Sequence, residues 1–136
     1  MAVYDTNLVL RDGSVDLDAN EATPTAVDVE GPTGIVELEV IIPTGVSGTT
    51  PTLAITFQQS TDGGSNYVQV AAMRSLVGTD AASEHSVYAQ LSAPGSGQTR
   101  TKLRYTATVG GTTPDFKGVK IIAKPVPGAV GSRASN

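Results

Sequence analysis

The chain contains no cysteine and no tryptophan, a single histidine, and only 4% aromatic residues. Without cysteine there can be no disulfide framework, thiolate metal site or cysteine nucleophile. One histidine without cysteine also falls short of the usual zinc ligands. The longest uninterrupted apolar run, around Val40-Ile41-Ile42, is far too short to span a bilayer as a helix, so no membrane partner is expected. The opening MAVYDTNLVLRDG has no basic segment followed by an apolar one, so no signal peptide is expected and synthesis is placed in a cytosol. Helical periodicity is scarce as well.

What is abundant is strand and turn chemistry: 15 Gly and 8 Pro stand among many Thr, Ser and Val. A length of 136 residues suits one domain with a real core. Alternation is clearest in GIVELEVIIP, where Val36, Leu38, Val40 and Ile42 point one way and Glu37 and Glu39 the other. Leu53, Ile55 and Phe57 follow the same rule, as do Val68 and Val70, and then Val87, Ala89 and Leu91. Leu103, Tyr105, Ala107 and Val109, and finally Val119, Ile121 and Ala123, complete the inward set. TAVDVE and NLVL predict shorter early strands, and Ser75 to Glu84 could make a brief helical turn.

Between these segments PTGVSGTTP, STDGGSN, APGSGQ and VGGTTPDFKG read as turns. Strands at this spacing predict an all-β, jelly-roll-like antiparallel β-sandwich. The expected organisation is an N-terminal arm over 1–22, a sandwich over 23–124 and a tail over 125–136. The acidic first stretch has only the small apolar clusters Val3-Tyr4 and Leu8-Val9-Leu10, and the tail has little to bury. Both ends therefore read as arms, and removing Met1 to Arg11 is expected to leave the domain folded.

Charge is divided unevenly. From Met1 to Glu39 there are nine acidic residues against Arg11 alone, and from Arg100 to Asn136 seven basic residues against Asp115. Two arrangements follow: acidic and basic strands paired within one sheet, or a subunit with an acidic and a basic side, suited to head-to-tail contacts. The net charge of −4 argues against nucleic acid as a partner.

Catalytic chemistry has little support. His85 sits in a Ser-Glu-His-Ser context, but no Gly-x-Ser-x-Gly elbow accompanies it. The pairs Asp16/Asp18 and Glu37/Glu39 have the i, i+2 spacing that puts both carboxylates on one side of a strand. Glu37 and Glu39, however, alternate with the core set of their own strand, which makes them a solvated outer face. Asp16 and Asp18 lack the Gly and terminal Glu of an EF-hand loop. GVSGTT and PGSGQT lack the Gly-Lys-Ser/Thr of a phosphate loop. The expectation is a protein without enzymatic activity or cofactor.

The most distinctive stretch is STDGGSNY, Ser60 to Tyr67. Its Ser-x-Asp-x-Gly-x-x-aromatic spacing resembles the Asp-box of sialidases and other propeller proteins, and its oxygens could suit Ca²⁺. A propeller needs several such blades and this chain offers one. The stretch therefore reads first as a hairpin turn, with Asp62-Gly63-Gly64 supplying the positive-φ residues.

The sequence from MAVYDTNLVLRDG through AVDVEGPTG and ELEVIIP to LAITFQQSTDGGSNYVQVA, closed near the end by KGVKIIAK, resembles small capsid cement (decoration) proteins of tailed bacteriophages. That resemblance implies a structural virion protein on the outer surface of the capsid, made in the host bacterial cytoplasm. Its partners would be the major capsid protein and further copies of itself, expected as a trimer. Candidate capsid or inter-subunit contacts are then Val3, Tyr4, Leu8, Leu10 and Arg11 in the arm, Asp62 and Asn66 in the hairpin, and Lys102 and Arg104 on the basic strand. A phage tail or fibre-associated β-domain and a carbohydrate-binding module are the alternatives.

Overall fold

The computed structural model describes residues 8–22, 24–30, 34–42, 46–77 and 84–125. Among them the alternating segments form nine strands and no helix. These are β1 (Leu8–Asp12), β2 (Val27–Glu30), β3 (Ile35–Ile41), β4 (Val46–Ser60), β5 (Val68–Ala72), β6 (Leu76–Val77), β7 (Glu84–Gln90), β8 (Arg100–Phe116) and β9 (Lys120–Pro125). One sheet has the order β1-β9-β3-β7; the other has β2-β8-β4-β5, with β6 also on β4. All pairings are antiparallel. The chain changes sheet at each of its first three connections, so strands remote in sequence become neighbours.

The two sheets bury their facing side chains against each other in a β-sandwich. Leu38, Val40, Ile121 and Ala123 come from one sheet, and Leu53, Ile55, Phe57, Leu103 and Ala107 from the other. Leu17, Leu76, Phe116 and Val119 are also fully buried. Each such side chain contributes about 1.5–3 kcal/mol by leaving water. Val68 departs from the expected pattern: it is 68% exposed. The register against β4 slips between Phe57 and Gln58, inserting an extra residue into β5. Beyond this bulge Val68 stands opposite the buried Gln59, still on the inward side but on an edge strand.

Leu76 and Val77 form a short strand on Thr52 and Leu53 rather than a helical turn; residues 78–83 lie outside the described set. The first part of the chain is not a free arm from Leu8 onward. β1 is a full edge member of its sheet, Leu17 bridges Phe116 and Glu21 bridges Ala107.

Two segments expected as turns lie inside long strands. Gly48-Thr49-Thr50-Pro51 on β4 and Gly111-Thr112-Thr113-Pro114 on β8 carry the same four residues and mate with each other, Thr49 opposite Thr112. Each strand carries one extra residue, on β4 between Thr49 and Thr52 and on β8 between Thr112 and Asp115. Gly48 and Gly111 adopt φ of 112° and 104°, and Thr50 and Thr113 both adopt 46°. The two bulges are thus related by a local pseudo-twofold. A Cβ on Gly48 would lie 2.6 Å from the Thr113 carbonyl oxygen, and one on Gly111 2.5 Å from that of Thr50. Proline, lacking an N–H, is tolerated inside a strand at such a bulge. Turn-forming residues therefore make a matched defect in a continuous ladder.

Candidate functional site

Topology decides what becomes of the divided charge. β9 lies between β1 and β3, and β8 lies beside β2. The late basic strands are thereby laid against early acidic ones. Lys124 Nζ is 3.1 Å from Glu39 Oε1, and Lys102 Nζ donates to Asp28 Oδ1 at 2.7 Å. Arg100 stands 3.6 Å from Asp28 Oδ2. Pairing within sheets, the first of the two arrangements, accounts for these residues. Lys102 holds the Asp28 carboxyl below its usual range, first by this hydrogen bond and then by its charge.

At the β1 edge, Leu10 and Arg11 both face inward because the register against β9 slips between Val9 and Arg11. Arg11 is 8% exposed. Its Nε and Nη2 donate to the two carboxylate oxygens of Glu21 at 3.2 and 3.0 Å. Its Nη1 donates to the carbonyls of Val15 at 2.7 Å and Val119 at 2.9 Å. The Tyr105 hydroxyl donates to the same Glu21 carboxylate. Burial works against the charge on both Arg11 and Glu21, yet their mutual bonding prevails, so Arg11 is raised and Glu21 lowered from their ordinary values. Burial, then Glu21, pushes the Tyr105 hydroxyl up to about 12. These groups floor an open cleft of about 690 Å³ whose walls include Val9, Val15 and Pro24. They act structurally, locking residues 11–21 onto β8.

Leu10 and Arg11, expected as contacts, have side chains buried within this chain. Leu8 is half-buried against the core, and Val3 and Tyr4 lie outside the described residues. This burial bears on the expectation that the first eleven residues can be removed without unfolding the domain. Removing them would leave Glu21 beside Tyr105 without its counter-charge.

The loop between β4 and β5 is a self-satisfied turn. Asp62 Oδ1 accepts from Ser60 Oγ at 2.7 Å and from the amides of Ser65 and Asn66, each at 3.0 Å. Its Oδ2 accepts from Asn66 Nδ2 at 2.8 Å. Bonding from Asn66 foremost, then from Ser60, holds this carboxyl far below the usual range. The Asp-box spacing is explained by these bonds, with Asp62 in the middle and Ser60 and Asn66 on either side. A second tie fixes the loop's base: the buried Gln59 amide donates to the Ser92 carbonyl at 2.8 Å and accepts the Ser92 amide at 2.9 Å. Gly95 donates to the Thr61 carbonyl at 2.8 Å.

Beside this loop, on the outer face of the β8 sheet, Arg104 lies 3.7 Å above the centre of the Tyr67 ring. Its Nε donates to Gln58 Oε1 at 2.7 Å. Asp62, Asn66, Lys102 and Arg104 thus gather at one end of the sandwich, while Leu8, Leu10 and Arg11 belong to the other sheet. The Tyr67–Arg104 stack was not anticipated. Its only sequence signal is an aromatic just past a hairpin and an arginine on an outward position, and nothing local says that they meet.

His85 stands opposite Val40 in register on β7, and Asp16 accepts the Gly118 amide. Among the described residues no three His, Cys, Asp or Glu side chains gather as a metal site, and no helix is long and apolar enough to cross a membrane. Comparison with protein-family models, curated proteins and solved structures finds no match to this chain.

Proposed function

We propose that the chain is a structural virion protein that binds the outside of a tailed-phage head as an oligomer and stabilises the mature lattice. The observation that carries this reading is how the side chains are divided between holding the fold and facing out. The polar groups that could have formed a reactive site (Arg11, Glu21, Asp62, Gln59) are bonded to the protein's own backbone and to one another. Large apolar groups, namely Val9, Val15, Val68, Val77 and Tyr88, are left on the surface. That is the economy of a contact protein, rigid inside and adhesive outside.

The sequence resemblance to cement proteins supports the reading, and so does the antiparallel β-sandwich. We read its strand order, with β5 and β6 taken as one interrupted strand, as that of a jelly roll. The physics of such a protein is mass action: a ligand that binds only the mature lattice stabilises it, and several weak contacts from one oligomer add through effective concentration.

The test is sedimentation of purified protein with expanded and unexpanded heads, followed by heat challenge. The expected result is binding to expanded heads alone and a higher disruption temperature. Binding to neither form, with labelling confined to tails or specific capture on a glycan array, would replace this reading.

A further inference from the structure

Arg104 is built as a contact residue. Its side chain is fixed twice, by the Gln58 bond through Nε and by the Tyr67 ring beneath the guanidinium plane. Among the described residues nothing is bonded to its two terminal nitrogens, and no carboxylate pairs with it, although Lys102 and Arg100 on the same strand both reach Asp28. A guanidinium held in this way presents its two terminal nitrogens, whose donors are unused among the described residues. It is pre-organised for one carboxylate, and little side-chain entropy remains to be lost on pairing. Tyr67 supplies apolar surface beneath it, and Gln58 and Gln69 stand beside it in register on the same outer face.

The opposite face of the sandwich holds the complement. Glu37 points outward from the middle of β3, between Tyr88 of β7 and Lys124 of β9 in register. Lys124 reaches Glu39, and among the described residues no donor is bonded to Glu37. Tyr88 beside it is 61% exposed. Ile35 and Ile41 face outward from the same strand, and Ile122 from β9. A carboxylate with no donor bonded to it among the described residues, beside an exposed tyrosine and half-buried isoleucines, offers one polar anchor within an apolar patch.

We infer that Arg104 of one copy binds Glu37 of a second copy, with Tyr67 packing against Tyr88. Because the two patches lie on outer faces of opposite sheets, one copy cannot satisfy both in a reciprocal twofold contact. The association is head-to-tail and closes as a ring or continues as a fibre. It is a property of the purified chain alone, so it stands or falls separately from head binding.

The experiment is analytical ultracentrifugation of the full chain from about 1 to 100 µM, a range that resolves association free energies near −7 kcal/mol. Wild type, Arg104→Glu, Glu37→Arg and the double exchange are compared, with thermal melts to show that each is folded. Arg104→Lys, which keeps the charge and loses the fork, is included. Wild type should associate. Either charge reversal should weaken association by about tenfold or more, the double exchange should restore most of it, and Arg104→Lys should fall between. A monomeric wild type, single reversals that associate as wild type does, or no recovery in the double exchange would overturn the inference. A variant that does not melt cooperatively is replaced by Arg104→Gln or Glu37→Gln, for which the same loss is required.

Discussion

Gly111→Ala isolates the mated bulges. Its φ of 104° costs any residue with a Cβ about 1–2 kcal/mol. The new methyl carbon would also meet the Thr50 carbonyl oxygen at 2.5 Å, the Thr49 carbonyl oxygen at 2.8 Å and Pro51 Cα at 3.0 Å. All three belong to backbone, which cannot swing aside as a side chain would. Relieving such overpacking costs about 1–3 kcal/mol more. The sum is about 2–5 kcal/mol, against a total stability of about 7–20 kcal/mol for a domain of this length. An unfolding entropy near 0.29 kcal/mol/K makes each kcal/mol worth about 3–4 °C, so the melting temperature should fall by about 7–17 °C.

Gly97→Ala is the matched control, because its φ is 82° with nothing within 4 Å of the added carbon. Both substitutions restrict the unfolded chain equally, so that contribution cancels. The control should lose about 1–2 kcal/mol, or roughly 3–7 °C. Differential scanning calorimetry on both proteins decides the matter. Equal melting temperatures would refute the close approach of the two Gly-Thr-Thr-Pro segments. Gly48→Ala combined with Gly111→Ala should cost less than the sum of the two, since the bulges share one opening.

Glu21→Gln leaves the Arg11 guanidinium buried without a counter-charge and should cost about 2–4 kcal/mol by urea denaturation at neutral pH. Glu21 is lowered from its ordinary 4.5, so its stabilisation is complete above that value and is lost as pH falls through the folded value. The acid limb of the wild-type stability curve should flatten in the variant. Tyr105 is raised to about 12, so its contribution is complete below 10.0 and lost as pH rises toward 12. Tyr105→Phe should cost about 1 kcal/mol at neutral pH and lessen that alkaline loss. Asp62→Ala should lower the melting temperature and speed amide exchange at Ser65 and Asn66, whose N–H groups it accepts. Deleting residues 1–7 should leave a cooperative melt, whereas deleting 1–11 removes β1's Leu10 and Arg11 and should lower its midpoint sharply.

Much of the sandwich was legible residue by residue. Leu38, Val40, Ile55, Phe57, Leu103, Ile121 and Ala123 alternate with polar neighbours, and period two has only one structural meaning when one face is buried. The Asp62 turn was legible too, because its bonds run within a few residues. Leu10 and Arg11 were misjudged where a bulge slips the register, and a slip depends on the partner strand rather than on the local sequence. Val68 keeps its inward register opposite Gln59 but stands exposed on an edge strand. The Gly-Thr-Thr-Pro segments were misjudged for a related reason: each by itself has the chemistry of a turn, and only the other segment makes it a strand.

The sequence by itself determined the fold class, the core-facing residues and the hairpin turn, since periodicity and turn chemistry act over short range. Only the tertiary structure decided which strands are neighbours. That choice neutralised the acidic first third against the basic last third. It also buried Arg11 with Glu21 and Tyr105, and left Arg104 and Glu37 on opposite faces with no ion pair among the described residues. The physical reason is that a charge takes its meaning from what lies within a few ångströms, and in an antiparallel sandwich those neighbours are tens of residues away along the chain.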